Sequence, residues 1–339
     1  MPDTPSMTVA EAMGSIPEVI GERLGTREFA RCFSDAGLQS DFHIQTGNYV
    51  PEVALDRFLH SAARRAGDDF LGASLAQSVS VQDYGVWGDY VLEAPTLLSA
   101  MARASSIIHL HADKDTLKLR RRPKSVRFEY GFAERGGKGY RQIAMAAFGP
   151  LTSIPRYFLG QSWKPQKIGI DLEVRDAVRR LEREFDCAVR ARDSVVSIEI
   201  PNSELLTANP ATTPRRTTRE EVVRACSGGP PKGIVPIMEQ LILQRVGIED
   251  TGLESLAEAI NVSKRTLQRR LDREGVDFRS LSLSVRMRRA QELLAGTDLD
   301  VSEIATHLEY STPGHFARAF RQSFDVAPSQ YRSNAVNRD

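Results

Sequence analysis

Apolar positions change their period along the chain, and the changes divide it into regions. From Gly21 to about Ala76 they recur at helical spacing: Phe29, Phe33 and Leu38, a break at Gly47-Asn48, then Val53, Leu55, Phe58, Leu59 and Ala62 after Pro51. Residues 1–20 show no comparable run and read as a tail or a short first helix. Asp83 to Trp87, with Gly85 and Gly88, reads as a turn, and a helix starts near Pro95 with Ala104 and Ile107 continuing its apolar face. From Asp115 the period falls to two: Leu117-Lys118-Leu119-Arg120, a turn at Pro123-Lys124-Ser125, then Val126-Arg127-Phe128-Glu129-Tyr130, a hairpin pattern. Gly136-Gly137-Lys138-Gly139 turns into Gln142 to Phe148, expected as a buried strand. After Trp163-Lys164-Pro165 an amphipathic helix carries Val174, Val178, Leu181 and Phe185 on one stripe, and a second hairpin is expected over Val189 to Ile200. The stripe fits packing on its own sheet or a dimer seam. Thr207 to Gly233 is rich in Pro, Thr, Gly and Arg and reads as a linker around at most one short helix.

Helical spacing returns after Ile234, and here it occurs twice in the same form. Leu253, Leu256, Ala257 and Ile260 mark one apolar face, Asn261-Val262 turns the chain, Ser263 is an N-cap, and Leu267 and Leu271 face inward. At about 100° per residue that anchoring points Arg265, Gln268 and Arg269 outward, side chains able to bond base edges and phosphates. The second pass has Ile304, Ala305 and Leu308, caps at Ser311-Thr312, Pro313 at the first helical position, Phe316 and Phe320 inward and Arg318 and Arg321 outward. Between the two lies a helix with Leu281, Val285, Met287, Ala290, Leu293 and Leu294. The candidate DNA-binding residues are Ser263, Lys264, Arg265, Gln268, Arg269, Thr312, His315, Arg318 and Arg321.

Two helix-turn-helix units about 50 residues apart, joined by an apolar helix, closely resemble the DNA-binding domain of AraC-family bacterial transcription regulators. The matching residues are Arg289-Ala290 with Leu293-Leu294, Val301 to Ala305, Phe316 to Arg321, and Phe324 with Pro328-Ser329-Gln330-Tyr331-Arg332. The chain departs from the family pattern at Glu309 and Asp325, where glycine is usual and positive φ is cheaper, and at Pro313 and Gly314, where the family often carries hydrogen-bonding side chains. Farther upstream, Gly67 to Gly72, Tyr84 to Gly88 with Ala94 to Leu97, and Trp163-x-Pro165 followed by Phe185-Asp186-Cys187 look like the effector domain of the ornithine-utilisation-regulator branch. That resemblance implies a domain that binds a small effector or mediates self-association.

The chain has 339 residues and 41% hydrophobic residues, enough for two domains, and a formal net charge of +1 that argues nothing about DNA in bulk. Local distribution is more telling. Between Ser263 and Arg289 nine basic residues face three acidic ones, while Glu249, Asp250, Glu254 and Glu258 lie before the second helix. Cys32, Cys187 and Cys226 are odd in number and scattered, which fits a reduced setting without disulfides or zinc. The stretch MPDTPSMTVAEAMG is not expected to act as a signal peptide, and no run approaches 18 apolar residues. Enzyme signatures fail: Gly131 to Gly139 lacks the Ser or Thr that follows a phosphate-loop lysine, and Gly72 to Ala76 lacks the second glycine of a nucleophile elbow. His109 and His111 could share a strand face but have no third ligand nearby, and Arg120-Arg121-Arg122 with Lys124 could hold an anionic effector or a DNA phosphate but reads better as a solvated hairpin edge.

The sequence therefore predicts an α+β N-terminal domain, helices packed on a mixed, mostly antiparallel sheet, followed by an all-α C-terminal domain with two helix-turn-helix units. The expected boundaries are a tail at 1–20, an effector or dimerisation domain at 21–207, a linker at 208–233 and the DNA-binding domain at 234–334. The expected function is a cytoplasmic, non-enzymatic, sequence-specific transcription regulator that reads two successive major-groove segments under a small-molecule effector. The alternative is a constitutive DNA binder whose N-terminal domain serves only oligomerisation. Double-stranded DNA and an unknown effector are the expected partners, RNA polymerase and a second copy of the chain are left open, and no cofactor, metal or membrane is implied.

Overall fold

The computed structural model describes residues 4–39, 48–173, 175–211, 216–248 and 250–336. The chain divides into two compact units, Pro5–Pro230 and Pro231–Asp339.

The first unit runs β1 (Met7–Val9), α1 (Ile16–Leu24), α2 (Thr26–Ala36), β2 (Tyr49–Pro51), α3 (Glu52–Ala66), α4 (Leu71–Leu75), α5 (Gly85–Leu92), α6 (Leu97–Ile107), β3 (Thr116–Arg121), β4 (Ser125–Gly131), α7 (Tyr140–Ala146), α8 (Phe148–Leu159), β5 (Lys167–Gly169), α9 (Arg175–Phe185), β6 (Ala188–Arg190), β7 (Val196–Pro201) and α10 (Arg219–Ala225). β1 and β2 form an antiparallel pair. The main sheet has the order β3-β4-β7-β5-β6, antiparallel except for β5 beside β6, so it is mixed and mostly antiparallel. The hairpin at 117–130 forms, with Leu117 opposite Tyr130 and Leu119 opposite Phe128.

Several local expectations are corrected. Of the two readings of the N-terminal segment, residues 4–20 are packed rather than a tail and lead into α1: Met7, Ala10, Met13, Ile16 and Ile20 are buried, and Val9 N–H donates to the His111 carbonyl. Asp83 to Trp87 leads into α5 rather than a simple turn. Gly88 is needed because a Cβ there would lie 2.0 Å from the Val81 carbonyl oxygen. Gln142 to Phe148 is helical, since a short apolar run does not distinguish strand from buried helix. The Gln142 side chain ties α7 to α4, accepting from Gly72 N–H at 2.8 Å and donating to the Asp69 carbonyl at 2.8 Å. Val189 to Ile200 contains β6 and β7, but β5 lies between them, so they are not a hairpin.

The segment expected as a linker at 208–233 contains α10, whose Val222, with Cys226 after it, is buried in the core of the first unit. The Tyr49 hydroxyl, with one proton to give, lies 2.6 Å from the Cys226 carbonyl oxygen and 3.0 Å from that of Leu110. The connection between units is therefore shorter than the composition of 208–233 suggests. On α9, Leu181 and Phe185 are buried in this unit's own core while Val178 is half-buried, which favours core over seam. Val174 lies outside the described residues, as do Gly47 and Glu249.

His109 and His111 do not share a strand. His109 is exposed, and His111 is buried with its ring 5.0 Å from that of Tyr84 and 5.3 Å from that of Trp87. Burial holds the His111 imidazole neutral, its pKa pushed down to about 4. Close by in sequence, Asp115 accepts from the Tyr130 hydroxyl at 2.6 Å and from Ala133 N–H at 2.8 Å. Burial outweighs those bonds and pushes its pKa up to about 6. Glu52, bonded to Ser6 at 2.7 Å, is pushed well above the usual carboxylate range by burial and by Asp115. The three thiols are free; Cys32 and Cys226 are buried and Cys187 half-buried. Among the described residues no helix is long and apolar enough to cross a membrane, and no group of three or more His, Cys, Asp or Glu could hold a metal ion.

The second unit is all-helical: α11 (Ile234–Arg245), α12 (Leu253–Ala259), α13 (Lys264–Arg273), α14 (Phe278–Gly296), α15 (Val301–His307), α16 (Pro313–Phe324) and α17 (Pro328–Val336). Its C-terminal half packs on Val246, Met287, Ala290, Leu293, Leu294, Ile304, Ala305, Leu308, Phe316 and Phe320. Tyr331 sets its ring edge-on 5.5 Å from Phe320, and Arg332 Nε donates to the Leu294 carbonyl at 3.2 Å, covering an open end of α14. The Pro328 to Arg332 motif is thus structural.

Candidate nucleic-acid interface

Each helix-turn-helix is built by a short buried helix, a left-handed residue and a capped second helix. In the first, Leu256, Ala257 and Ile260 are buried, Asn261 takes φ +57°, and the Ser263 hydroxyl accepts from Thr266 N–H at 3.2 Å. Asparagine tolerates that conformation better than most residues. Leu267 and Leu271 are fully buried, so α13 is locked in rotation. Ser263, Lys264, Arg265 and Arg269 are exposed as a consequence. Gln268 is half-buried, and its amide donates to Asp272 Oδ1 at 2.8 Å.

The second unit repeats this plan with stronger capping. Asp300 accepts from Ser302 and Glu303 N–H, both at 2.7 Å, while Glu303 accepts from Asp300 N–H at 2.7 Å. Thr312 caps α16 by accepting from His315 N–H at 3.2 Å, and Phe316 and Phe320 are fully buried. Thr312, His315, Arg318 and Arg321 are exposed, as are Pro313 and Gly314. The left-handed residue is Glu309, φ +63°, three positions before the cap, whereas Asn261 is two before Ser263. The second turn is one residue longer, and in it Ser311 Oγ lies 2.9 Å from His315 Nδ1.

The two departures from glycine therefore keep the left-handed geometry rather than abandoning it, since Asp325 also takes φ +61° at the end of α16. The basic run is less uniformly available than a count implies. Arg286 is 2.6 Å from Glu309, Arg289 is 2.8 Å from Glu292, and Lys264 is 3.6 Å from Glu254. Arg265, Arg269, Arg273 and Arg279 remain exposed. The link from Arg286 to Glu309 escaped the sequence reading, although Glu309 at a glycine position was its visible trace.

The model of the arabinose-binding domain of AraC transcription regulator, N-terminal, matches residues 27–209, and a helix-turn-helix domain model matches residues 256–334. The first match alone spans more than half of the chain. The chain belongs to the AraC-type transcription regulators. It is 26% identical over 283 residues to the ornithine utilization regulator of Pseudomonas aeruginosa, covering 82% of each protein. It is 35% identical over 80 residues to the urease operon transcriptional activator of Escherichia coli, covering 24% of this chain and 27% of that one. Among solved structures, the transcriptional regulator CdpR from Pseudomonas aeruginosa aligns with TM-score 0.37 and 22% identity, over 77% of this chain and 86% of that one. The chain is thus an AraC-type DNA-binding transcription regulator with an effector-type N-terminal domain.

Proposed function

We propose that this regulator reads two successive major-groove segments, α13 entering one and α16 the next, with most base discrimination on α13. The observation that carries this reading is the fixed rotation of both helices. Burial of Leu267 and Leu271, and of Phe316 and Phe320, leaves the candidate residues of each helix except Gln268 exposed near a capped N-terminus, the end that recognition helices direct toward base edges. α13 offers Arg265 and Arg269, and Gln268 once its bond to Asp272 is exchanged. α16 offers Gly314, Ala317 and Arg318 at the matching positions. Footprinting of the full chain tests it: the expected result is protection of two segments about one helical turn apart per protomer, and protection of a single segment would overturn it.

The N-terminal domain is proposed to take a small-molecule effector and to pair two copies, with RNA polymerase engaged at the promoter of a cytoplasmic regulator. The likeness to an ornithine utilization regulator over 82% of each protein supports ornithine as the first probe. At 100 times its Kd a ligand adds about 2.7 kcal/mol to stability, so a thermal-shift series reads binding directly. Saturating ornithine without a shift would remove that candidate.

A further inference from the structure

Thr251, Arg286 and Glu309 come from three separate places in the DNA-binding unit: the turn before α12, the middle of α14, and the turn between α15 and α16. Glu309 Oε2 accepts from Arg286 Nη2 at 2.6 Å and from Thr251 Oγ1 at 3.0 Å. Arg286 Nη2 also donates to Thr251 Oγ1 at 2.7 Å, which closes a triangle. Thr251 is buried, so the first helix-turn-helix is joined to the turn of the second through a group shielded from water.

This arrangement is a costly way to hold a turn. Glu309 occupies φ +63°, where glycine fits more cheaply. Arg286 Nε is buried with no hydrogen-bond partner among the described residues. Half-buried ion pairs of this kind contribute little net stability when their desolvation is counted. The neighbouring backbone is fitted to the same seam. Val246 joins the core of the second half, and a Cβ on Gly247 would lie 2.4 Å from the His307 carbonyl oxygen at the end of α15.

We propose that Glu309 is a positioning residue: through Arg286 and Thr251 it fixes the orientation of the second helix-turn-helix against the first, and with it the spacing between DNA segments that the protein accepts. This rests on the two-segment reading above.

The test begins with sites selected from a random pool by the full-length protein. One base pair is then inserted between the two protected segments, and affinities are compared for wild type, Glu309→Gly, Glu309→Gln and Arg286→Met. The insertion is expected to cost the wild type about tenfold or more, because a rigid pair of reading heads loses one of its two engagements. Glu309→Gly relieves the backbone but leaves Arg286 without its carboxylate, so folding is checked by its melting curve, and its insertion penalty is expected to fall to about threefold or less as the two heads adapt independently. Arg286→Met breaks the same triangle from the other side and is expected to behave alike. Glu309→Gln still offers an acceptor to both donors and is expected to retain most of the wild-type penalty. A wild-type penalty in both Glu309→Gly and Arg286→Met overturns the proposal. A wild type that selects a single undivided segment overturns the two-segment reading instead.

Discussion

Arg269 and Arg321 are both exposed arginines on the second helix of a helix-turn-helix, but they stand at different distances from the cap. Arg269 lies six residues after Ser263, within the first two turns, whereas Arg321 lies nine after Thr312, in the last turn of α16. An arginine can bond two acceptors of a guanine edge, discrimination of about 1–3 kcal/mol. Arg269→Ala is therefore expected to cost about that much on the preferred site and to relax base preference in one half of it. Arg321→Ala should weaken all sequences alike and flatten the dependence of log K on log salt by about one. Selection from a random pool by both variants checks this, and an unchanged consensus for Arg269→Ala would mean that its contact is with phosphate. Gln268 must exchange its bond to Asp272 for a base, so Gln268→Ala should cost less than Arg269→Ala in the same assay.

Glycines that separate elements by contact give a second test. A Cβ on Gly139 would lie 1.9 Å from the Asp56 backbone oxygen, where α7 meets α3, whereas one on Gly136 would meet nothing within 4 Å. Gly139→Ala should destabilise the first unit by at least about 2 kcal/mol, and Gly136→Ala by about 0.5 kcal/mol or less; urea unfolding of each decides. The same region shows how far periodicity reaches. The helix-turn-helix pair was legible because apolar residues at helical spacing sit directly behind side chains that cap, and the 117–130 hairpin because alternation continues on both strands. Helix α7 has the sequence pattern of a buried strand, its apolar run being too short to carry a period. β5 has only three residues, so its insertion between β6 and β7 left no mark. Within the interface, the outward faces of α13 and α16 followed from the buried leucines and phenylalanines. The Thr251, Arg286 and Glu309 triangle did not, because no spacing rule connects residues 35 and 23 positions apart.

At the scale of the whole molecule, burial of ionisable groups in the first unit sets how stability responds to pH. Asp115 has its folded pKa raised from an ordinary 3.8 to about 6, so its share of stability is present below the lower value and lost as pH rises through the upper one. His111 acts in the opposite sense: its folded pKa is lowered from 6.5 to about 4, so its share is present above 6.5 and lost as pH falls through 4. Asp115→Asn removes the first of them and with it part of the raise on Glu52, so the variant should gain on the wild type as pH rises from about 4 to about 6. Melting curves across that range measure it, with Glu52, Asp113, Tyr130 and Arg135 unchanged around the site. A constant difference would place the Asp115 carboxyl in a more solvated setting.

The cysteines carry a practical consequence. Burial pushes the Cys187 and Cys226 thiols up to about 11 and raises that of Cys32 as well, and residues 231–339 contain no cysteine. At neutral pH a thiol with that pKa is ionised only about once in ten thousand molecules, and alkylating reagents and peroxide react through the thiolate. A single cysteine introduced at an exposed position of α13 or α16 should then outpace the native thiols, which makes this chain suited to site-directed dye attachment and DNA crosslinking without first removing its own cysteines.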